Sequence, residues 1–145
     1  MVKTHLLKLD FNDKDFSHIR DIRRTVFHVE LGISESELFD KYDESCDHFL
    51  IFAGKNIVGS VRVISIDEKI TKIERMAILK NFRTKNHGKT CISHLKEYYS
   101  TKEFSKIILD SIYSVKGFYQ KCGFIEEGLL FQRVGIDHIR MSLTL

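Results

Sequence analysis

A basic, glycine-containing loop separates a β-rich run from an amphipathic run in the middle of this chain. The run from Lys72 to Leu79 has the residue types of a strand, and Gly88 to Tyr99 places apolar side chains at helical spacing. Between them stands Arg83 to Thr90, which reads Arg-Thr-Lys-Asn-His-Gly-Lys-Thr. The first N–H groups of a helix lack intrahelical partners and carry the positive end of its dipole, so this order predicts an anion site. A loop whose glycine serves only close packing would look the same, and both interpretations stay open.

Two phosphate-binding patterns compete for this loop. Gly88, Lys89 and Thr90 match the end of the Walker A pattern G-x-x-x-x-G-K-[ST], but Arg83 stands where that pattern needs its first glycine. A P-loop nucleotide hydrolase is therefore the weaker alternative. The second pattern is Gln or Arg, two residues, Gly, one residue, then Gly or Ala, and Asn86 replaces its first glycine. Asn enters the left-handed backbone region more readily than other non-glycine residues, so Asn86 is expected to make this turn.

A second motif favours the latter pattern. Phe118, Tyr119, Gly123 and Phe124 form the sequence Phe-Tyr-x-x-x-Gly-Phe. Together the loop and this motif resemble the signatures of the GNAT superfamily of N-acetyltransferases. The resemblance covers nearly the whole chain and is to a small bacterial branch of the superfamily related to the ElaA and YjcF proteins. The other residues that support it are Arg24 to Glu30, Asp40 with Asp43, His48, Gly59 with Arg62, Glu74 with Arg75, and Gly135 to Met141.

The resemblance implies an α+β fold with a mostly antiparallel sheet of six to seven strands, a splayed fourth and fifth strand, and about four helices. The residues themselves indicate a mixed α+β order. His48 to Ala53 and Ile57 to Ile66 are β-rich runs separated by a hairpin turn at Gly54-Lys55-Asn56. Ser34, followed by Glu37, resembles a capping box that opens a short helix.

Composition limits the remaining classes. A chain of 145 residues with 43% hydrophobic residues predicts one domain, residues 1–145. The net charge of +3 is too mild to predict nucleic-acid binding. Cys46, Cys91 and Cys122 are odd in number and form no C-x-x-C pair, so we expect a cytoplasmic protein without a disulfide framework or metal site. Charges interrupt the apolar N-terminal residues, which argues against a signal peptide, and no run is long enough to span a membrane. A homodimer is compatible with these features.

The resemblance also implies a cofactor, acetyl-coenzyme A, and the residues that hold it. Its pantetheine arm is expected along Met76, Ala77 and Ile78, where backbone groups bind it and one N–H reaches the thioester oxygen. Phe118 is assigned to the same site. The pyrophosphate is expected among Arg83, Thr84, Lys85, Asn86, His87, Gly88, Lys89 and Thr90.

Acetyl transfer to an amine requires two proton transfers, because the amine must be neutral to attack and the departing thiolate must receive a proton. By match to the family motif, Tyr119 protonates the departing thiolate, which is feasible because a phenol is less acidic than a thiol. Its alternative role is that of a packed core aromatic. Glu74, expected on the same strand face as Met76, is the candidate base through a water, with Glu30 as its rival. Each of these acids could instead be an ion-pair partner, Glu30 of Arg24 for example.

The acceptor is expected to be a primary amine on a small molecule or a peptide. In the family the first helices and the last hairpin select it, and here they supply Arg24, Glu30, Asp40, Asp43 and His138. Residues 30–48 carry seven acidic side chains against Lys41 alone, which favours a cationic amine. A non-catalytic acyl-coenzyme A sensor on the same fold is the alternative function.

Overall fold

The chain builds one seven-stranded sheet in a computed structural model that describes residues 2–145. The strands are β1 Thr4–Leu9, β2 Asp47–Ala53, β3 Asn56–Ser65, β4 Ile70–Ile78, β5 Lys106–Ile112, β6 Ile125–Arg133 and β7 Ile136–Thr144. Their order is β1-β2-β3-β4-β5-β7-β6, and every neighbouring pair is antiparallel except β4 with β5. The predicted α+β fold with a mostly antiparallel sheet is confirmed.

Three α-helices cover the sheet within the described residues: α1 Phe16–Arg23, α2 His87–Thr101 and α3 Lys116–Lys121. A π-helical segment, Arg24–Glu30, continues α1. Helix α1 forms because Phe16, Ile19 and Ile22 recur on one side of it, where they pack against Leu50 and Ala77 of the sheet. We call this side of the sheet the α1 face. The opposite side, the α2 face, packs against α2 and α3 in the larger core. No helix of residues 2–145 has the length and apolar character needed to cross a membrane.

The sheet opens between β4 and β5. Their pairing runs only from Ile70 with Lys106 to Ile73 with Leu109, although the strands continue to Ile78 and Ile112. Beyond Ile73, the backbone groups on the facing edges of β4 and β5 do not pair with each other. This gap confirms the predicted splay.

A β-bulge at Arg75 resets the alternation of side chains along β4. Arg62 pairs with Glu74 and Ser60 pairs with Ala77, so β4 contains one more residue than β3 over this stretch. The backbone of Arg75 has a φ of 50°, an uncommon conformation for a residue with a side chain. Glu74 and Ala77 therefore share the α1 face, while Met76 packs against the core of the α2 face. The prediction that Glu74 and Met76 point the same way is wrong for this reason.

Candidate active site

A cavity of about 930 Å³ occupies the gap between β4 and β5. Helices α2 and α3, the segment after α1 and the β6–β7 hairpin close its other sides. Fourteen of the predicted site residues line it: Glu30, Glu74, Met76, Ala77, Ile78, Arg83, Thr84, Asn86, His87, Gly88, Lys89, Phe118, Tyr119 and His138. Five predicted residues lie outside its lining, namely Arg24, Asp40, Asp43, Lys85 and Thr90.

The open edge of β4 offers backbone groups to this cavity. The N–H of Leu79 donates to the carbonyl of Val58 at 2.8 Å, so Leu79 and Ala77 direct their backbone groups toward β3. Since successive residues of a strand alternate in direction, Met76 and Ile78 direct theirs into the gap. The carbonyl of Ile78 accepts from Arg83 Nε at 2.8 Å. The N–H groups of Met76 and Ile78 thus face a ligand-sized space.

The N-terminus of α2 points its unpaired N–H groups at the same cavity. Asn86 has φ 66° and ψ 10°, the left-handed conformation predicted for it, and no side chain caps the helix. The first intrahelical bond runs from Thr90 N–H to Asn86 O at 3.0 Å. His87, Gly88 and Lys89 precede that bond, so their N–H groups have no intrahelical acceptor. Such an end offers unpaired N–H donors and the positive end of the helix dipole, which are the features that favour an anion such as phosphate.

Gly88 brings the helix close to the motif residues of α3. A Cβ at this position would lie 3.0 Å from Phe118 Cζ and 3.6 Å from Met76 Cε. The glycine is therefore needed for close packing, and the same approach places the helix N-terminus beside the gap. The two interpretations of the loop are compatible.

Two side chains predicted for the pyrophosphate are bonded within the protein. Arg83 makes a bidentate pair with Glu30, with nitrogen to oxygen distances of 2.9 and 2.8 Å. This hydrogen bonding from Arg83 lowers the pKa of Glu30. The ring of His87 is buried and bonds Thr4 Oγ1 through Nδ1 at 2.9 Å. Arg24, the expected partner of Glu30, pairs instead with Glu35 on the surface.

Tyr119 stands on the α2 side of the gap. Its ring makes edge contacts with Phe118 and Phe124, at centroid distances of 5.0 and 5.9 Å. Among the described residues, the only hydrogen-bond partner of its hydroxyl is Met76 Sδ at 4.0 Å. Burial raises the pKa of Tyr119. The phenol is therefore protonated at neutral pH, and its hydroxyl is directed at Met76 Sδ.

Asp40 and Asp43 lie outside the cavity lining and belong to an ionic network with Arg23 and Arg62, although the sequence predicts them at an amine entrance. Asp43 is buried in this network, whereas the Asp40 side chain is 36% exposed. Asp43 is 1% exposed and lies 2.9 Å from Arg23 and 3.1 Å from Arg62. Asp40 makes two hydrogen bonds with Arg62, which lower its pKa to about 2. These two acids also form a capping box at Asp40, whereas the box predicted at Ser34 is absent there.

The same network accounts for a metal-like cluster. Asp43, Cys46 and His48 bring three ligand atoms within 4.8 Å of one another. However, His48 Nε2 lies 2.7 Å from the carbonyl of Asp43, so it donates a proton there, and Nδ1 accepts from Arg23 at 3.5 Å. Burial lowers the pKa of His48 and raises that of Cys46 to about 12. The cluster is thus a hydrogen-bonded support for the sheet.

A second ion cluster, which the sequence pattern did not predict, lines the α1 face of the gap. Asp110 is 2% exposed, and its carboxylate lies 3.0 Å from Lys72 and 3.0 Å from Arg133, with Arg140 also bonded to it. Burial opposes ionisation, but hydrogen bonds from Arg140 and Lys72 prevail and lower the pKa of Asp110 to about 2. An acid inside the apolar run from Ile107 to Ile112 was the available signal.

Comparisons with known proteins agree with this architecture. A family model described as an acetyltransferase (GNAT) domain matches residues 22–145. The Bacillus subtilis protein YyaT is 33% identical over 90% of this chain and 89% of its own, and the B. subtilis N-acetyltransferase YjcF is 24% identical over 90% and 93%. Escherichia coli ElaA superposes with a TM-score of 0.81 at 20% identity, covering 97% and 99% of the two chains. A GNAT family acetyltransferase from Elizabethkingia anophelis, solved with acetyl-CoA bound, gives 0.74 at 18% identity and 98% coverage of each chain.

Proposed function

Because this chain belongs to the GNAT acetyltransferase family, we propose that it transfers an acetyl group from acetyl-coenzyme A directly to a primary amine. Acyl transfer from acetyl-coenzyme A to amines is the general reaction of that family. One observation carries the proposal: a strand edge with free N–H groups, an uncapped helix N-terminus and a protonated tyrosine all line one cavity.

The residues present fit the cofactor. The N–H groups of His87, Gly88 and Lys89 would hold its pyrophosphate, and the Lys89 side chain would add positive charge. Met76 and Ile78 bond its extended arm as a neighbouring strand would. When bound, the cofactor supplies an acetyl group activated as a thioester. The E. anophelis protein, which has the same fold and binds acetyl-CoA, supports this assignment.

Two groups of the chain then act on the reacting atoms. An N–H of β4, at Met76 or Ile78, donates to the acetyl oxygen, and its value grows as negative charge develops there. Tyr119 gives its proton to the sulfur that leaves. The cavity opens to both faces of the sheet through the gap between β4 and β5. The amine can therefore approach from the α1 face while Tyr119 donates its proton from the α2 face.

Neither predicted carboxylate is well placed to be the base. Glu74 accepts from Arg62 Nη2 at 3.1 Å and lies 3.6 Å from Lys72, and Glu30 is held by Arg83. Asp40 and Asp43 are likewise paired with arginines, which weakens the case for a strongly cationic amine. The acceptor is a primary amine of a small molecule or a peptide.

The experiment has two stages. Acetyl-coenzyme A at about 100 times its Kd should stabilise the folded chain by about 2.7 kcal/mol, and ATP with magnesium should not. Stabilisation by the nucleotide alone would favour a hydrolase. A panel of amines is then screened for thiol release, and turnover with at least one amine separates an enzyme from a sensor.

The Tyr119→Phe variant tests the assigned proton donor. We expect kcat to fall by about 10² to 10⁴ at an unchanged Kd for acetyl-coenzyme A, since only the hydroxyl is removed. Tyr113→Phe, a change of an exposed tyrosine beside α3, is the matched control. Full activity of the Tyr119 variant contradicts the assignment.

A further inference from the structure

The proton of the amine needs an acceptor, and the two carboxylates predicted for this task are both held in ion pairs. Glu74 is shared between Arg62 and Lys72, and Glu30 is held in a bidentate pair by Arg83. Hydrogen bonding from Arg83 lowers the pKa of Glu30 and makes it a weaker base. Arg62 and Lys72 each face one oxygen of Glu74. The candidates for a base are therefore the other titratable groups of the lining.

His138 is such a group, and its tautomer is set by one hydrogen bond. Nδ1 lies 2.8 Å from the carbonyl oxygen of Ile136, which can only accept, so Nδ1 carries the hydrogen. Nε2 then holds a lone pair. No described residue forms a hydrogen bond with Nε2. The ring lines the cavity and is 8% exposed.

The ring is also held in place. Phe131 of β6 stacks on it with a centroid distance of 5.8 Å and an interplanar angle of 28°. In the sheet, His138 pairs with Ile112, the last residue of β5, which puts it at the open end of the gap. A base must keep its lone pair within reach of the amine, and these two contacts restrict the ring accordingly.

His138 and Tyr119 lie on opposite faces of the sheet. Ile139 belongs to the core of the α2 face, and side chains alternate along β7, so His138 belongs to the α1 face. Tyr119 packs on the α2 face. The candidate base, His138, and the assigned proton donor, Tyr119, therefore lie on opposite sides of the gap.

We propose that Nε2 of His138 is the general base that takes a proton from the acceptor amine. This inference rests on the proposed function and adds a catalytic residue to it. His138 removes one proton from the bound ammonium, and the imidazolium passes that proton to water. The lone pair of the neutral amine forms the bond to the acetyl carbon as the carbon–sulfur bond breaks. The sulfur takes a proton from Tyr119, and the second proton lost by the nitrogen restores the phenol.

Charged groups of four strands share the α1 face of the sheet with this ring. On the α1 face they come from β4, β5, β6 and β7, and they are Lys72, Glu74, Asp110, Glu127, Arg133 and Arg140. Three are anionic and three cationic, and each takes part in an ion pair. Within the described residues, none of these six groups forms a hydrogen bond with His138.

The test compares His138→Asn with the wild-type enzyme in amine acetylation. Asn keeps a donor for the Ile136 carbonyl but has no basic nitrogen. We expect kcat/KM near neutral pH to fall by about 10² to 10⁴, with recovery as the pH approaches the amine pKa of about 10, where solvent has already removed the proton. In His138→Ala, added imidazole should restore part of the rate. His18→Asn, on the exposed side of α1, is the control.

The outcomes separate two failures. If the wild-type enzyme acetylates amines and His138→Asn keeps its rate and its pH profile, His138 is not the base, although the proposed function stands. A variant that loses stability and cofactor binding but keeps the profile also overturns the assignment, because it reveals a structural role. If the wild-type enzyme acetylates no amine, the proposed function and this inference fall together.

Discussion

Replacing Asp110 with Asn should cost the protein a measurable part of its stability. The carboxylate is 2% exposed and is paired with Lys72, Arg133 and Arg140. Its pKa is about 2 instead of 3.8, and since one pKa unit is worth about 1.36 kcal/mol, these contacts favour the ionised form by about 2 kcal/mol. The variant also removes the carboxylate that three cations share, although Lys72 keeps Glu74 at 3.6 Å. We therefore expect the free energy of unfolding to fall by about 2 to 4 kcal/mol near neutral pH.

The effect should depend on pH in one direction. The folded-state pKa of Asp110 lies below its unfolded value, so the stabilisation is present above about pH 4 and is lost as the pH falls toward about 2. The difference between wild type and variant should therefore narrow from about pH 5 to about pH 3.

Urea unfolding provides the measurement. The variant should show a lower midpoint at an unchanged m-value, because the surface exposed on unfolding is the same. Asp137→Asn, at an exposed position of β7, the strand that pairs with β5, should stay within about 0.5 kcal/mol of wild type. A wild-type midpoint for Asp110→Asn, or a deficit that does not change with pH, would refute the reasoning.

Two further predictions concern the loop before α2. Asn86→Ala should lower the free energy of unfolding in urea by about 1 kcal/mol, because Ala is disfavoured at a φ of 66°. Asn86→Gly should be tolerated, because glycine adopts this conformation readily. Equal stabilities of the two variants would contradict the role of the turn. Gly88→Ala should weaken coenzyme A binding by about tenfold in calorimetry, since its Cβ would lie 3.0 Å from Phe118 and displace the helix N-terminus. Stability should change by less than about 1 kcal/mol because Ala favours the helix, and unchanged binding would show that the approach is not critical.

Features set by local chemistry were predictable from the sequence. The turn between β2 and β3 follows from Gly54 and Lys55, and Gly54 indeed has a φ of 61°. The left-handed conformation of Asn86 follows from its residue type and its place in the motif. Both depend on a few adjacent residues, whose backbone preferences the sequence displays directly.

Features set by distant partners were not predictable in the same way. The bulge at Arg75 has no local signal, because it is held by guanidinium bonds to the carbonyls of Leu38 and Glu37. The acidic run around Asp43 looked like an amine entrance, since the sequence does not say that Arg23 and Arg62 meet it in the core. The sequence gives the charge of each side chain, but it does not say which residue pairs with that side chain in the folded protein.

The short pairing between β4 and β5 bears on the survival of the protein in a cell. Only Ile70 to Ile73 join the two parts of the sheet at this point, while Met76 and Ile78 are left without a neighbouring strand. A ligand that bonds their N–H groups supplies the missing pairing, and it stabilises the centre of the sheet in proportion to the logarithm of its concentration. If acetyl-coenzyme A binds there as proposed, its concentration would also set the resistance of the chain to proteolysis, because proteases cleave the transiently opened form.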